Sequence, residues 1–181
     1  AMNAAVANNK TFVTRGYQNG TRKWFKITPT FLIPAGLIWE VDGLVGIIGA
    51  SATGILFRWE GTPYIRGGPK SLLIDGGNSS ATIAGGYVAD HEGMVVAYKW
   101  KSNVSASLDT GTGYGTYIDN AYLEGVYFQN FGSGGLETFY LRDALIVNCG
   151  GERLGWFDTD FGDAPIAWCD DCAADLPKAD Q

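Results

Sequence analysis

Val126-Tyr127-Phe128-Gln129-Asn130-Phe131-Gly132 and Leu145-Ile146-Val147-Asn148-Cys149-Gly150 follow one pattern. Each opens on an apolar alternation, continues with asparagine and one apolar residue, and closes on glycine. Alternation with a period of two belongs to an extended strand. Asparagine tolerates the left-handed backbone of a sharp bend, and its amide can bond a counterpart stacked one turn away. A strand closed by such a corner is the unit of a coil. The pattern predicts that Val126, Phe128, Leu145 and Val147 point inward on neighbouring coils.

The rest of the chain repeats this style. Leu37-Ile38-Trp39-Glu40-Val41, Leu44-Val45-Gly46-Ile47-Ile48, Ile55-Leu56-Phe57-Arg58-Trp59, Ser71-Leu72-Leu73-Ile74-Asp75 and Met94-Val95-Val96-Ala97-Tyr98 are short runs rich in β-branched and aromatic residues. Glycine, asparagine or aspartate closes them, as at Asp42-Gly43, Gly67-Gly68-Pro69 and Asp75-Gly76-Gly77-Asn78. Such runs read as strands. No segment holds a 3.6-residue apolar period over four turns, so helix is confined to one short N-terminal or capping turn. Apolar centres at Val45, Leu73, Val95, Val126 and Leu145 lie 28, 22, 31 and 19 residues apart. That is about one coil each at 20–30 residues. The expected fold is all-β, a short parallel β-helix. The alternative is an antiparallel β-sandwich or jelly roll, whose hairpins would turn at Asn19-Gly20, Asp42-Gly43 and Asp75-Gly76.

Composition fits one domain with an ample core. Of 181 residues, 46% are apolar, 13% aromatic and 18% charged, and 26 are glycine. Disorder needs the opposite balance, and the glycines lack the three-residue period of collagen. The opening Ala1-Met2 reads as a tag remnant. The net charge of −6 is unevenly spread. Residues 1–36 carry Lys10, Arg15, Arg22, Lys23 and Lys26 and no acid, whereas Asp158, Asp160, Asp163, Asp170, Asp171, Asp175 and Asp180 face Lys178 alone near the other end. Three segments follow: a basic 1–26, a β-helix over 27–157 and an acidic capping segment over 158–181. No basic patch is interleaved with aromatics, so nucleic acid is not an expected partner. No run approaches the length that spans a bilayer, so a membrane is not expected either.

Pro34-Ala35-Gly36-Leu37-Ile38-Trp39-Glu40-Val41 is a proline-glycine lead-in to a first coil, and Gly43-Leu44-Val45-Gly46-Ile47-Ile48-Gly49 follows it. With the matching segments in 122–150, the chain resembles the right-handed β-helix of bacteriophage tailspikes and related polysaccharide-processing proteins. The resemblance covers roughly residues 27–157. It implies a right-handed coil, a virion (extracellular particle) location, homotrimeric assembly, and carbohydrate binding or cleavage. Enzymatic tailspikes have a much longer coil stack.

Chemistry is sparse. A glycosidase needs two carboxylates about 5–9 Å apart, and the acids available are Asp75, Asp90, Glu92, Asp119, Glu124, Glu137 and Asp143. Asp75 directly follows Leu72-Leu73-Ile74 where a corner also wants aspartate. Asp90-His91-Glu92-Gly93 puts acids beside the single histidine, but it leads straight into a strand and reads as a solvated turn. Asp158, Asp160 and Asp163 partly match an oxygen-rich calcium loop, without its bidentate glutamate. Cys169-Asp170-Asp171-Cys172 is half a zinc knuckle, and Cys149 reads as a small buried hydrophobe. No cofactor is implied. Trp59 and Trp100 sit among Arg58, Glu60, Lys99 and Lys101, which suggests half-exposed rings able to stack on sugar.

The leading expectation is a non-catalytic phage virion module for attachment, a spike, a tail or capsid decoration. It would bind surface polysaccharide and assemble as a homotrimer with other virion proteins. The alternatives are a polysaccharide depolymerase with an inter-subunit carboxylate site and a small lectin-like sandwich.

Overall fold

The chain is a parallel β-solenoid. The computed structural model describes residues 1–17, 19–28, 30–50, 56–77, 93–97, 118–131, 135–139, 141–154 and 167–170. A short helix, α1 (Met2–Ala7), comes first. The first coil is β1 (Phe12–Arg15), β2 (Lys23–Ile27) and β3 (Phe31–Ile33). The second is β4 (Ile38–Asp42), β5 (Val45–Gly49) and β6 (Phe57–Glu60), and the third β7 (Tyr64–Gly67), β8 (Leu72–Asp75) and β9 (Met94–Ala97). A two-residue β10 (Ile118–Asp119) leads into β11 (Tyr122–Glu124), β12 (Val126–Phe131) and β13 (Leu136–Phe139). Likewise β14 (Leu141–Arg142) leads into β15 (Leu145–Val147), β16 (Gly150–Leu154) and β17 (Ala167–Asp170).

Each coil gives one strand to each of three faces. The first face runs β1-β4-β7-β11-β15, the second β2-β5-β8-β12-β16 and the third β3-β6-β9-β13-β17. Every one of these pairings is parallel, so the antiparallel sandwich is set aside. β1 and β2 start the solenoid ahead of residue 27, and β17 carries it past residue 157.

Left-handed residues make the corners. Between first and second faces they are Gly20, Gly43, Lys70, Gly125 and Asn148; between second and third, Gly77 and Asn130. Between the third face and the next coil they are Gly36, Gly61, Asn120 and Asp143. Gly125 has no substitute, because its φ is +72° and a Cβ there would lie 2.0 Å from the Gly68 carbonyl oxygen.

The two segments that pointed to a coil occupy different faces. Tyr122-Leu123-Glu124, not Val126–Phe128, pairs with Leu145-Ile146-Val147. Val126–Phe131 lies on the second face against β16, so Asn130 and Asn148 turn different corners. Val126 and Phe128 do point inward, but Leu145 is 51% exposed and Val147 only half-buried. Ile146 takes the position in register with Leu123. A coil of three short strands lets one pattern recur on two faces, and a one-residue shift in a period of two turns every side chain over.

The inward columns form one core. Trp39, Ile65 and Leu123 stack on the first face, Ile47, Ile74 and Phe128 on the second, and Phe57, Met94 and Leu136 on the third. Trp39 meets Phe12 and Phe57 edge-on at ring separations of 6.1 and 6.0 Å. Such pairs add about 0.5–1.5 kcal/mol each beyond burial. Met2, Ala5 and Val6 of α1 pack against this core at the first coil. Arg22 pins the corner beside it. One guanidinium nitrogen donates to Val45 O at 2.7 Å and Ser71 O at 3.1 Å, and another to Lys70 O at 2.9 Å. The pin ties the first three coils together.

Candidate functional site

Outward positions of the first face carry a repeated triplet: Ile38-Trp39-Glu40, Tyr64-Ile65-Arg66 and Tyr122-Leu123-Glu124. The middle residue points into the core, and the outer two face solvent on neighbouring rungs. Two stripes result, both running along the solenoid axis.

One stripe is apolar and aromatic. Tyr64 and Tyr122 are in register, with rings stacked 5.1 Å apart at 25°. Ile38 and Leu145 extend the stripe on either side. The other stripe is charged. Glu40 pairs with Arg66 across adjacent strands, and Glu124 follows on the next. At about 4.8 Å per rung the two glutamates stand about 10 Å apart at the backbone, with the arginine between them. Arg15 and Asp42 form an exposed ion pair at 3.5 Å beside them. Together these charges line an open groove of about 650 Å³.

The stripes are joined. Tyr122 Oη donates to Glu124 Oε2 at 3.1 Å. Removal from water, and then this hydrogen bond, push the Tyr122 phenol above its ordinary range, so it remains a donor at neutral pH. The groove therefore offers three carboxylates and two cations as hydrogen-bond partners next to an aromatic ridge. That suits a long, polar, neutral ligand.

The residues singled out from sequence fall elsewhere. Asp75 is buried at the corner after β8. Its carboxylate accepts from Gly77 N at 2.8 Å, Asn130 Nδ2 at 2.9 Å and Gln129 Nε2 at 2.5 Å, so it fastens the corner to the next coil. Trp59 is fully buried instead of half-exposed: alternation along β6 sends Phe57 and Trp59 inward and leaves Arg58 between them on the other side. It has no face for a sugar. Cys149 packs against the core and its thiol donates to Leu123 O and Val147 O at 3.5 and 3.4 Å; burial pushes the thiol up. Asp90, His91, Glu92, Trp100, Asp158, Asp160, Asp163 and Cys172 lie outside the described residues. Among the described residues no three His, Cys, Asp or Glu side chains converge on a metal position.

Of the groove residues, the sequence marks Glu124 alone as a candidate acid. Glu40, Tyr64, Arg66 and Tyr122 carry no motif. The available signal was the apolar-core-charged triplet recurring at residues 38, 64 and 122. No family model, no curated protein and no solved structure matches the chain.

Proposed function

We propose that this chain is a non-catalytic attachment module that holds a polysaccharide along the first face of its solenoid. The observation that carries the reading is the stacked Tyr64–Tyr122 ridge beside the Glu40–Arg66–Glu124 ladder. Aromatic side chains supply apolar contact to sugar rings, and fixed carboxylates and guanidinium groups accept from and donate to hydroxyls. Both stripes repeat with the rungs, so a polymer laid along the axis meets equivalent contacts in succession. In this reading the module belongs to an extracellular particle such as a phage virion, where it assembles as a homotrimer.

The test is a panel of bacterial surface polysaccharides, read for binding and for release of reducing ends. Binding without release is expected. Tyr64→Ala and Arg66→Gln should each weaken binding about tenfold or more, the loss of one contact worth about 1.4 kcal/mol. Release of reducing ends would point instead to a depolymerase, and no binding across the panel would end the glycan reading.

A further inference from the structure

We propose that the rim of the first coil is a docking surface for the aspartate-rich segment 158–181 of a second copy. Among the described residues, large exposed apolar side chains gather on this coil. They are Val13, Tyr17, Trp24, Phe31 and Leu32, with Leu32 61% and Tyr17 54% exposed; only Ile38 and Leu145 lie elsewhere. The Trp24 indole lies flat across Gly46, where a Cβ would come within 2.4 Å of the ring. It is thus a fixed platform on the side of the solenoid. β1, β2 and β3 are also the end strands of all three sheets, so each has an unpaired edge here.

Charge selects the occupant. Lys10, Lys23 and Lys26 belong to the same stretch of chain, with the Lys23 ammonium 5.8 Å over the Tyr17 ring, and no acid occurs in residues 1–36. Segment 158–181 carries seven aspartates and one lysine. Within it, β17 pairs with β13 at the opposite end of the third sheet from β3. The two ends are four rungs apart, about 19 Å at the usual strand spacing. Within one copy β17 thus lies at the far end of its sheet from β3, and a second copy can set the two ends against each other. Two rims facing each other would instead oppose lysine to lysine, which repels.

The contact is heterologous, rim to acidic segment. Such contacts close into rings when the rotation allows, and a ring of three is the homotrimer proposed above. The inference rests on that oligomeric reading but not on the glycan face.

Sedimentation velocity on the full chain tests it. The wild type is expected to associate as concentration rises. Lys10→Glu/Lys26→Glu and Asp171→Lys/Asp175→Lys should each associate at least about tenfold more weakly, since like charges now meet. An equal mixture of the two variants should regain rim-to-segment pairing, though not closed threes, since two kinds cannot alternate around an odd ring; misfolding cannot imitate that result. Should a charge variant not fold, Leu32→Asp on the exposed side of β3 gives a second reading, with the same loss expected. A wild type that stays monomeric, variants that associate as well as wild type, or a mixture that does not recover would each overturn the proposal. So would capture of a monomeric wild type by anionic vesicles, which would assign the rim to a lipid surface. Polysaccharide binding, read on the same variants, is expected to be unchanged, so the two readings fail separately.

Discussion

Replacing Arg22 with methionine should loosen three coils at once. The guanidinium donates to the carbonyls of Val45, Lys70 and Ser71, which lie 23, 48 and 49 residues away. Burial lowers its pKa, yet an arginine remains charged in a protein. Hydrogen bonds to charged groups contribute about 1.5–3 kcal/mol each, but the three do not add in full. Ser71 O already accepts from Val45 N at 2.8 Å. Lys70 is exposed, so water can replace the arginine at its carbonyl. Methionine keeps the packing of the stem. A net loss of about 2 kcal/mol follows, or about 4–8 °C in Tm for a chain of this size. Arg22→Lys should recover little, because one ammonium cannot address three carbonyls set out for a planar fork. Thermal melts followed by far-UV circular dichroism, with urea midpoints at unchanged slope, measure this. A methionine variant within about 1 °C of wild type, or a lysine variant equal to it, would refute the pin.

Asp75→Asn places an amide among three donors and should cost about 1–3 kcal/mol in urea unfolding, while polysaccharide binding stays at the wild-type level. Tyr122 has a raised pKa in the folded state, so the folded chain holds that proton more tightly than the unfolded one. Its contribution is present below the ordinary phenol value near about 10 and is lost as pH rises through the folded value; Tyr122→Phe should flatten that alkaline decline in denaturant titrations. The Cys149 thiol, pushed up by burial, should alkylate several-fold more slowly than a free cysteine at about pH 8, as peptide mapping after timed iodoacetamide treatment would record; modification at the free-thiol rate would contradict its buried position.

What was legible in the sequence was local. Alternation such as Val126-Tyr127-Phe128 marked strands, and residues with a left-handed preference marked corners; Asn130 and Asn148 both adopt that backbone. Short strands without a helical period left a parallel coil as a natural arrangement, and the chain forms one. Asp75 read as a corner and is one. These features depend on backbone sterics and on a period of two, both carried by neighbouring residues. Pairing across coils is not carried that way. Leu145 was expected to point inward and faces outward, because its partner is Tyr122 on another face from Val126. Trp59 reads as half-exposed from its charged neighbours, although Arg58 beside it lies on the opposite side of the same strand. The groove depends most on tertiary structure: Glu40, Arg66 and Glu124 are separated by 26 and 58 residues and become neighbours only through strand register. Local sequence sets which way a strand can bend and alternate; only the stacking of coils decides which strands, and therefore which side chains, lie beside one another.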